Sequence, residues 1–137
     1  EFALIGPVML FFMLATFVLG IEYNNFIIIT NAAQAGTFQL TVSRGTTSTP
    51  YTKTVDAAKD AAPGLTSPLP TISMDVNGVA CTSDTSCKAL LDLPTAQGSP
   101  ASVTVSYPCA FTFLQVANFV MTIPACPRTT KTIGRIQ

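Results

Sequence analysis

The sequence predicts an α+β protein: a long N-terminal α-helix over about residues 1–43, then a small disulfide-stapled β-rich domain with one short helix. Three observations carry that reading. A mostly apolar run without a charged residue extends from Phe2 to Ile21; short segments of alternating apolar and polar residues follow residue 70; and four cysteines fall in the second part of the chain. The boundary is placed at Gly45, dividing a hydrophobic helix (1–45) from a β-rich domain (46–137). Roughly 90 residues is near the lower limit for a self-sufficient core, so staples are expected.

The opening run is long enough to cross a bilayer, since 20 residues at about 1.5 Å each span about 30 Å. It lacks the basic start, short apolar core and small-residue cleavage site of a secretory signal peptide. The chain begins on Glu1 and not Met, which predicts that an upstream piece is removed. Pro7 deletes the amide that would bond the carbonyl of Ala3, a loss tolerated near a helix start or in a packed bundle.

The helix should continue past Ile21. No proline occurs from Tyr23 to Val42, and Phe26, Ile29, Ala33, Gly36 and Leu40 recur at spacings of three and four, which places them on one face. Asn24, Asn31, Gln34 and Thr41 are expected on another. Ala32 and Gly36 form a small-xxx-small pair that lets a second helix come close. Ser43-Arg44-Gly45 gives the stop, a basic residue in the last turn and a glycine cap.

In the second part, Thr46 to Pro50 reads as a linker, with Thr49 as N-cap and Pro50 opening a short helix through Tyr51, Val55, Ala58 and Ala62. Pro63-Gly64 ends it, and Ser67 to Pro70 is a turn-rich connector. Ile72, Met74 and Val76 alternate with Thr71, Ser73 and Asp75 as in a half-buried strand. Asn77-Gly78 signals a two-residue hairpin returning through Val79 to Cys81. Val103, Val105 and Tyr107 alternate with Ser102, Thr104 and Ser106 as a further strand. The apolar residues from Phe111 to Ile123 are poorly periodic, either core filling or a surface that another subunit covers.

Composition excludes several function classes. Only 10% of residues are charged against 48% hydrophobic, and seven basic residues balance seven acidic ones. A general nucleic-acid binder shows a basic excess, so no nucleic acid is expected as partner. The chain has no His, no Gly-rich phosphate loop, and no paired carboxylates on an obvious scaffold; Asp56 and Asp60 read as a solvated helix face beside Lys53 and Lys59. It is read as a non-enzyme without a cofactor. The cysteines allow three pairings, and spacing favours Cys81 with Cys87 across Thr-Ser-Asp-Thr-Ser and Cys109 with Cys126. Both need an oxidising compartment. A zinc site is the competing reading, disfavoured because no Cys-x-x-Cys and no His occur. Charge is uneven along the chain: Glu1 and Glu22 alone precede Arg44, whereas Arg128, Lys131 and Arg135 crowd the end. Ends of opposite sign can meet in a neighbouring copy, or the cluster is a solvated tail.

The stretch Glu1-Phe2-Ala3-Leu4-Ile5-Gly6-Pro7-Val8, then Gly20-Ile21-Glu22-Tyr23, then Asn31-Ala32-Ala33-Gln34-Ala35-Gly36, resembles the N-terminal signature of the TadE-like family, pilin-like proteins of tight-adherence type IV pilus systems. Val103 to Pro108 is similar to the family's late strand and Thr130 to Gln137 to its closing strand. The resemblance implies a structural subunit that forms a helical homo-polymer, an extracellular pilus or pseudopilus serving surface adhesion. It also implies residence in the inner membrane before assembly, and a prepilin peptidase and pilus assembly machinery as partners. The alternative is a permanently anchored periplasmic binding or assembly module with the same helix. The residues expected to build the helix core of an assembly are Glu1, Phe2, Leu4, Gly6, Pro7, Phe11, Ala15, Phe17, Ile21, Glu22, Ala32 and Gly36. Glu1 beside an apolar span is costly unless a partner neutralises it, which favours the polymer.

Overall fold

Helix α1 runs without interruption from Phe2 to Val42 in the computed structural model, with Pro7 inside it. Residues 2–65, 69–108, 112–116, 119–122 and 127–137 are described, the side chains of 2–4, 18, 112–116, 119–122 and 127 excepted. Arg44 lies beyond the last turn of α1, which is closed instead by hydroxyl side chains: Ser43 Oγ donates to Gln39 O at 2.6 Å and Thr46 Oγ1 to Val42 O at 2.8 Å. Gly45 then takes φ +65°, the left-handed conformation that glycine adopts without a Cβ penalty.

Two short helices follow where one was expected: α2 (Pro50–Asp60) and α3 (Asp84–Leu91). Thr82 to Ser86 had the composition of a loop, yet Ser83 and Ser86 form a capping box there. Ser83 Oγ accepts from Ser86 N at 3.2 Å, and Ser86 Oγ accepts from Ser83 N at 3.0 Å. Thr49 occupies the N-cap position of α2 but makes no side-chain cap bond. Asp84 supplies it from α3, accepting from Thr52 N at 2.9 Å and Thr52 Oγ1 at 2.7 Å. Those bonds, the hydroxyl's foremost, hold the Asp84 carboxyl below its ordinary range.

Strands β1 (Thr71–Val76), β2 (Val79–Cys81), β3 (Pro100–Pro108) and β6 (Pro127–Arg135) form an antiparallel sheet in the order β2-β1-β3-β6. Asn77 and Gly78 both take positive φ, 52° and 79°, as a primed two-residue turn between Val76 and Val79 requires. Strands β4 (Thr112–Val116) and β5 (Phe119–Thr122) pair as a separate hairpin. The apolar run from Phe111 to Ile123 thus contains two paired strands that its weak periodicity did not reveal.

The register sorts the sheet into two faces. Val103 lies between Met74 and Thr132, and Val105 between Ile72 and Thr130, and this face meets the helices. Its core comprises Met74, Val76, Val103 and Val105 with Ile29, Ala33 and Leu40 of α1. The opposite face carries rows such as Thr71–Ser106–Thr129 and Ser73–Thr104–Lys131. The disulfide Cys81–Cys87 ties β2 to α3 in the core. Cys109 and Cys126 lie outside the described residues.

The helix faces differ from the expected stripe at two positions. Phe26 is exposed and Thr41 is buried. Helix α1 is embraced from two sides, by α2 and by β3 and β6, so the buried arc widens to take in Thr37 and Thr41. Thr37 Oγ1 donates to Ala33 O at 2.8 Å and Thr132 O at 3.2 Å, which satisfies its burial.

Candidate functional site: a bare apolar stem and its junction

The domain covers only the second half of α1. From Ile5 to Ile21 the described large apolar side chains are exposed, from 43% at Leu14 to 76% at Met13. Large apolar groups left in such a contiguous patch mark a surface that lipid or protein covers. The stem is long and apolar enough to cross a membrane. Its one hydroxyl between Ile5 and Ile21 is internally bonded: Thr16 Oγ1 lies 2.9 Å from both Phe12 O and Met13 O. No polar side chain on that stretch demands water.

The residues expected to build an assembly core fall into three groups. Glu1 lies outside the described residues, and Phe2 and Leu4 are placed on α1 by backbone alone. Gly6, Pro7, Phe11, Ala15, Phe17 and Ile21 lie on the stem, with open space around Gly6. Glu22, Ala32 and Gly36 are instead packed within the chain itself. A Cβ on Gly36 would lie 3.2 Å from Val103 Cγ1 and 3.3 Å from Ala58 Cβ, so the helix admitted by this small-residue pair is the chain's own α2. The second helix expected to come close to this pair is thus found, at Gly36, within the chain itself.

Glu22 marks the junction. It is 9% exposed, and its Oε2 lies 3.2 Å from Arg128 Nε at the start of β6. The approach is an ion pair without hydrogen-bond geometry, since the buried Nε has no hydrogen-bond acceptor. The opposite charges of the two chain ends therefore meet inside one molecule, at least at this pair. Lys131 is likewise engaged, 3.8 Å from Asp75 Oδ2 on the outer sheet face, where an exposed pair is worth at most about 1 kcal/mol. Sequence reasoning missed the role of Arg128, for which the only signal was the charge asymmetry. It also missed Asp84, whose partner lies on another helix. Among the described residues no group of three metal-ligating side chains occurs.

The TadE-like protein family matches residues 1–37, which comprise the stem, the junction and the first embedded turns of α1. No curated protein and no solved structure matches the chain.

Proposed function

We propose that the chain is a pilin-like structural subunit, not an enzyme, that polymerises through α1 into an extracellular filament of the type IV, tight-adherence kind. The observation that carries this reading is the bare stem on a folded domain, within the segment that matches the TadE-like family. Before assembly the stem resides in the inner membrane, where lipid covers it. In the filament, stems of neighbouring copies cover one another and the β-rich domains face outward. A prepilin peptidase and the assembly machinery are the partners that act on it, and surface adhesion is the use of the polymer.

Each fully buried large side chain contributes about 1.5–3 kcal/mol relative to exposure in water. Lipid satisfies the same residues, so the net drive for polymerisation comes from close helix contact. That contact is most sensitive at small positions, of which Gly6 and Ala15 lie on the stem. Glu1 is assigned a neutralising partner in the adjoining copy, such as a free α-amine.

Ala15→Phe tests the reading, because it alters the stem and leaves the domain untouched. The variant is expected to insert into membranes with an unchanged thermal transition of its domain but to yield no filaments. Normal filaments from Ala15→Phe would refute helix-core assembly. A wild-type chain found only as a membrane-bound monomer would favour the permanently anchored periplasmic module.

A further inference from the structure

The sheet runs along α1 in a fixed sense. Arg128 at the start of β6 meets Glu22, Thr132 O accepts from Thr37, and Gln137 N donates to Thr41 O. The end of the sheet where β3 stops and β6 begins, Pro108 opposite Pro127, is therefore the end at which the bare stem leaves the domain. Everything between those two prolines leaves from and returns to that end. This insert holds β4 and β5, and no charged residue occurs from Leu93 to Pro127. Among the described residues β4 and β5 contact each other and pack broadly against no other element. A lone two-stranded hairpin is marginal in water, so this one needs a cover.

We propose that the β4–β5 hairpin is a membrane-contact element, its apolar residues entering the interfacial layer of the bilayer that the stem crosses. The inference rests on the membrane-resident state proposed above. Three features set the level. Glu22 is the first charge after a run of about 30 Å, so the junction sits at the bilayer surface. Tyr23 beside it is 67% exposed, an aromatic of the kind that gathers at the headgroup layer. Arg128, with its side chain 31% exposed, offers a cation at the same level. These groups suit lipid headgroups, which is why lipid and not a neighbouring helix is the assigned cover.

Reach and pattern agree. At about 3.3 Å per residue the five residues of β4 extend about 17 Å, enough to pass the headgroups and meet the upper acyl chains. Phe113 lies opposite Met121 and Val116 opposite Phe119, so apolar residues pair with one another along the hairpin.

The chain has no Trp, so single tryptophans report position without background. The full chain carrying Phe119→Trp, Phe11→Trp or Phe38→Trp would be reconstituted in phosphatidylcholine–phosphatidylglycerol vesicles whose acyl chains carry bromine near the headgroup or deeper. Phe119→Trp is expected to lose emission to the shallow bromines and Phe11→Trp to bromines within the acyl region. Phe38→Trp, on the exposed side of α1 inside the domain, should keep its emission. Val116→Trp gives the same reading should the substitution at 119 disturb folding. Quenching at 11 without quenching at 119 and 116 would overturn the proposal while leaving membrane residence intact. A blue-shifted but unquenched emission at 119 would do the same, placing the hairpin against protein, such as a second copy. No quenching at 11 would refute membrane residence and the proposal with it.

Discussion

Replacing Gly36 by Leu separates the core of the monomer from the contacts of an assembly. A Cβ at position 36 would already press on Val103 Cγ1 at 3.2 Å and Ala58 Cβ at 3.3 Å, with Thr54 Cγ2 at 3.7 Å. These neighbours belong to a buried β-strand and to the buried face of α2, so they give by tenths of an ångström at most. Leu adds three further carbons behind that contact. Overpacking of this kind costs about 1–3 kcal/mol, and the crowding on two sides places it at about 3. Helix propensity offsets part of this, because leaving Gly gains about 0.8 kcal/mol in a helix interior. The net is a loss of about 2 kcal/mol, which lowers Tm by about 8–16 °C in a domain of this size. Circular dichroism of the full chain in detergent micelles measures it, with Ala15→Phe as a control expected to keep the wild-type Tm. A Gly36→Leu chain with unchanged Tm but no filaments would refute the reasoning, for it would return Gly36 to an intermolecular seam.

Further tests address the junction, α3 and the remaining cysteines. Glu22→Ala and Arg128→Ala should each cost about 1–2 kcal/mol, less than a fully buried pair because Arg128 is partly exposed, and the double variant should cost less than the sum; additive losses in chemical denaturation would show that the ions do not interact. The lowered Asp84 carboxyl favours the native state above its unfolded value near 3.8, and that share of stability is lost as pH falls from there through the folded value. Asp84→Asn should therefore flatten stability against pH in that acid window, and an unaltered pH profile would mean that the bonds to Thr52 contribute nothing. Because Cys81 is joined to Cys87 and the β3–β6 register stops at Pro108 opposite Pro127, the residues next in the chain, Cys109 and Cys126, should be linked. Mass spectrometry of non-reduced peptides checks this, and free thiols at both would contradict it.

Much of this architecture was legible along the chain because local chemistry decided it. The apolar run and the proline-free stretch to Val42 specify α1, and Asn77-Gly78 needs no partner to make a primed turn. What escaped depended on contacts between distant segments. Helix α3 is a short element whose start reads as a polar loop until its Ser83–Ser86 capping box, the Cys81–Cys87 disulfide and the Asp84–Thr52 bonds are seen together. The burial of Thr41 follows from β6 lying against α1: a Cβ on Gly134 would come within 2.8 Å of Thr41 Cγ2 and 2.9 Å of Thr37 Cγ2. Glycine there lets the strand approach. The same limit hid the Glu22–Arg128 pair, since opposite charges at the two ends of a sequence do not say whether they meet in one copy or between two. Small residues behaved alike: Ala32 and Gly36 announce a close helix, and only the fold identifies it as α2.

Electron cryomicroscopy of filaments sheared from cells that express the chain tests the central claim most directly. The account predicts a helical polymer whose axis is filled by the Phe2–Ile21 segments of many copies, with the four-stranded sheets outside and Glu22 still paired to Arg128 within each subunit. Absence of filaments, with the chain recovered only as a membrane-bound monomer, would contradict it. So would filaments joined through their β-rich domains with the stems left unpacked.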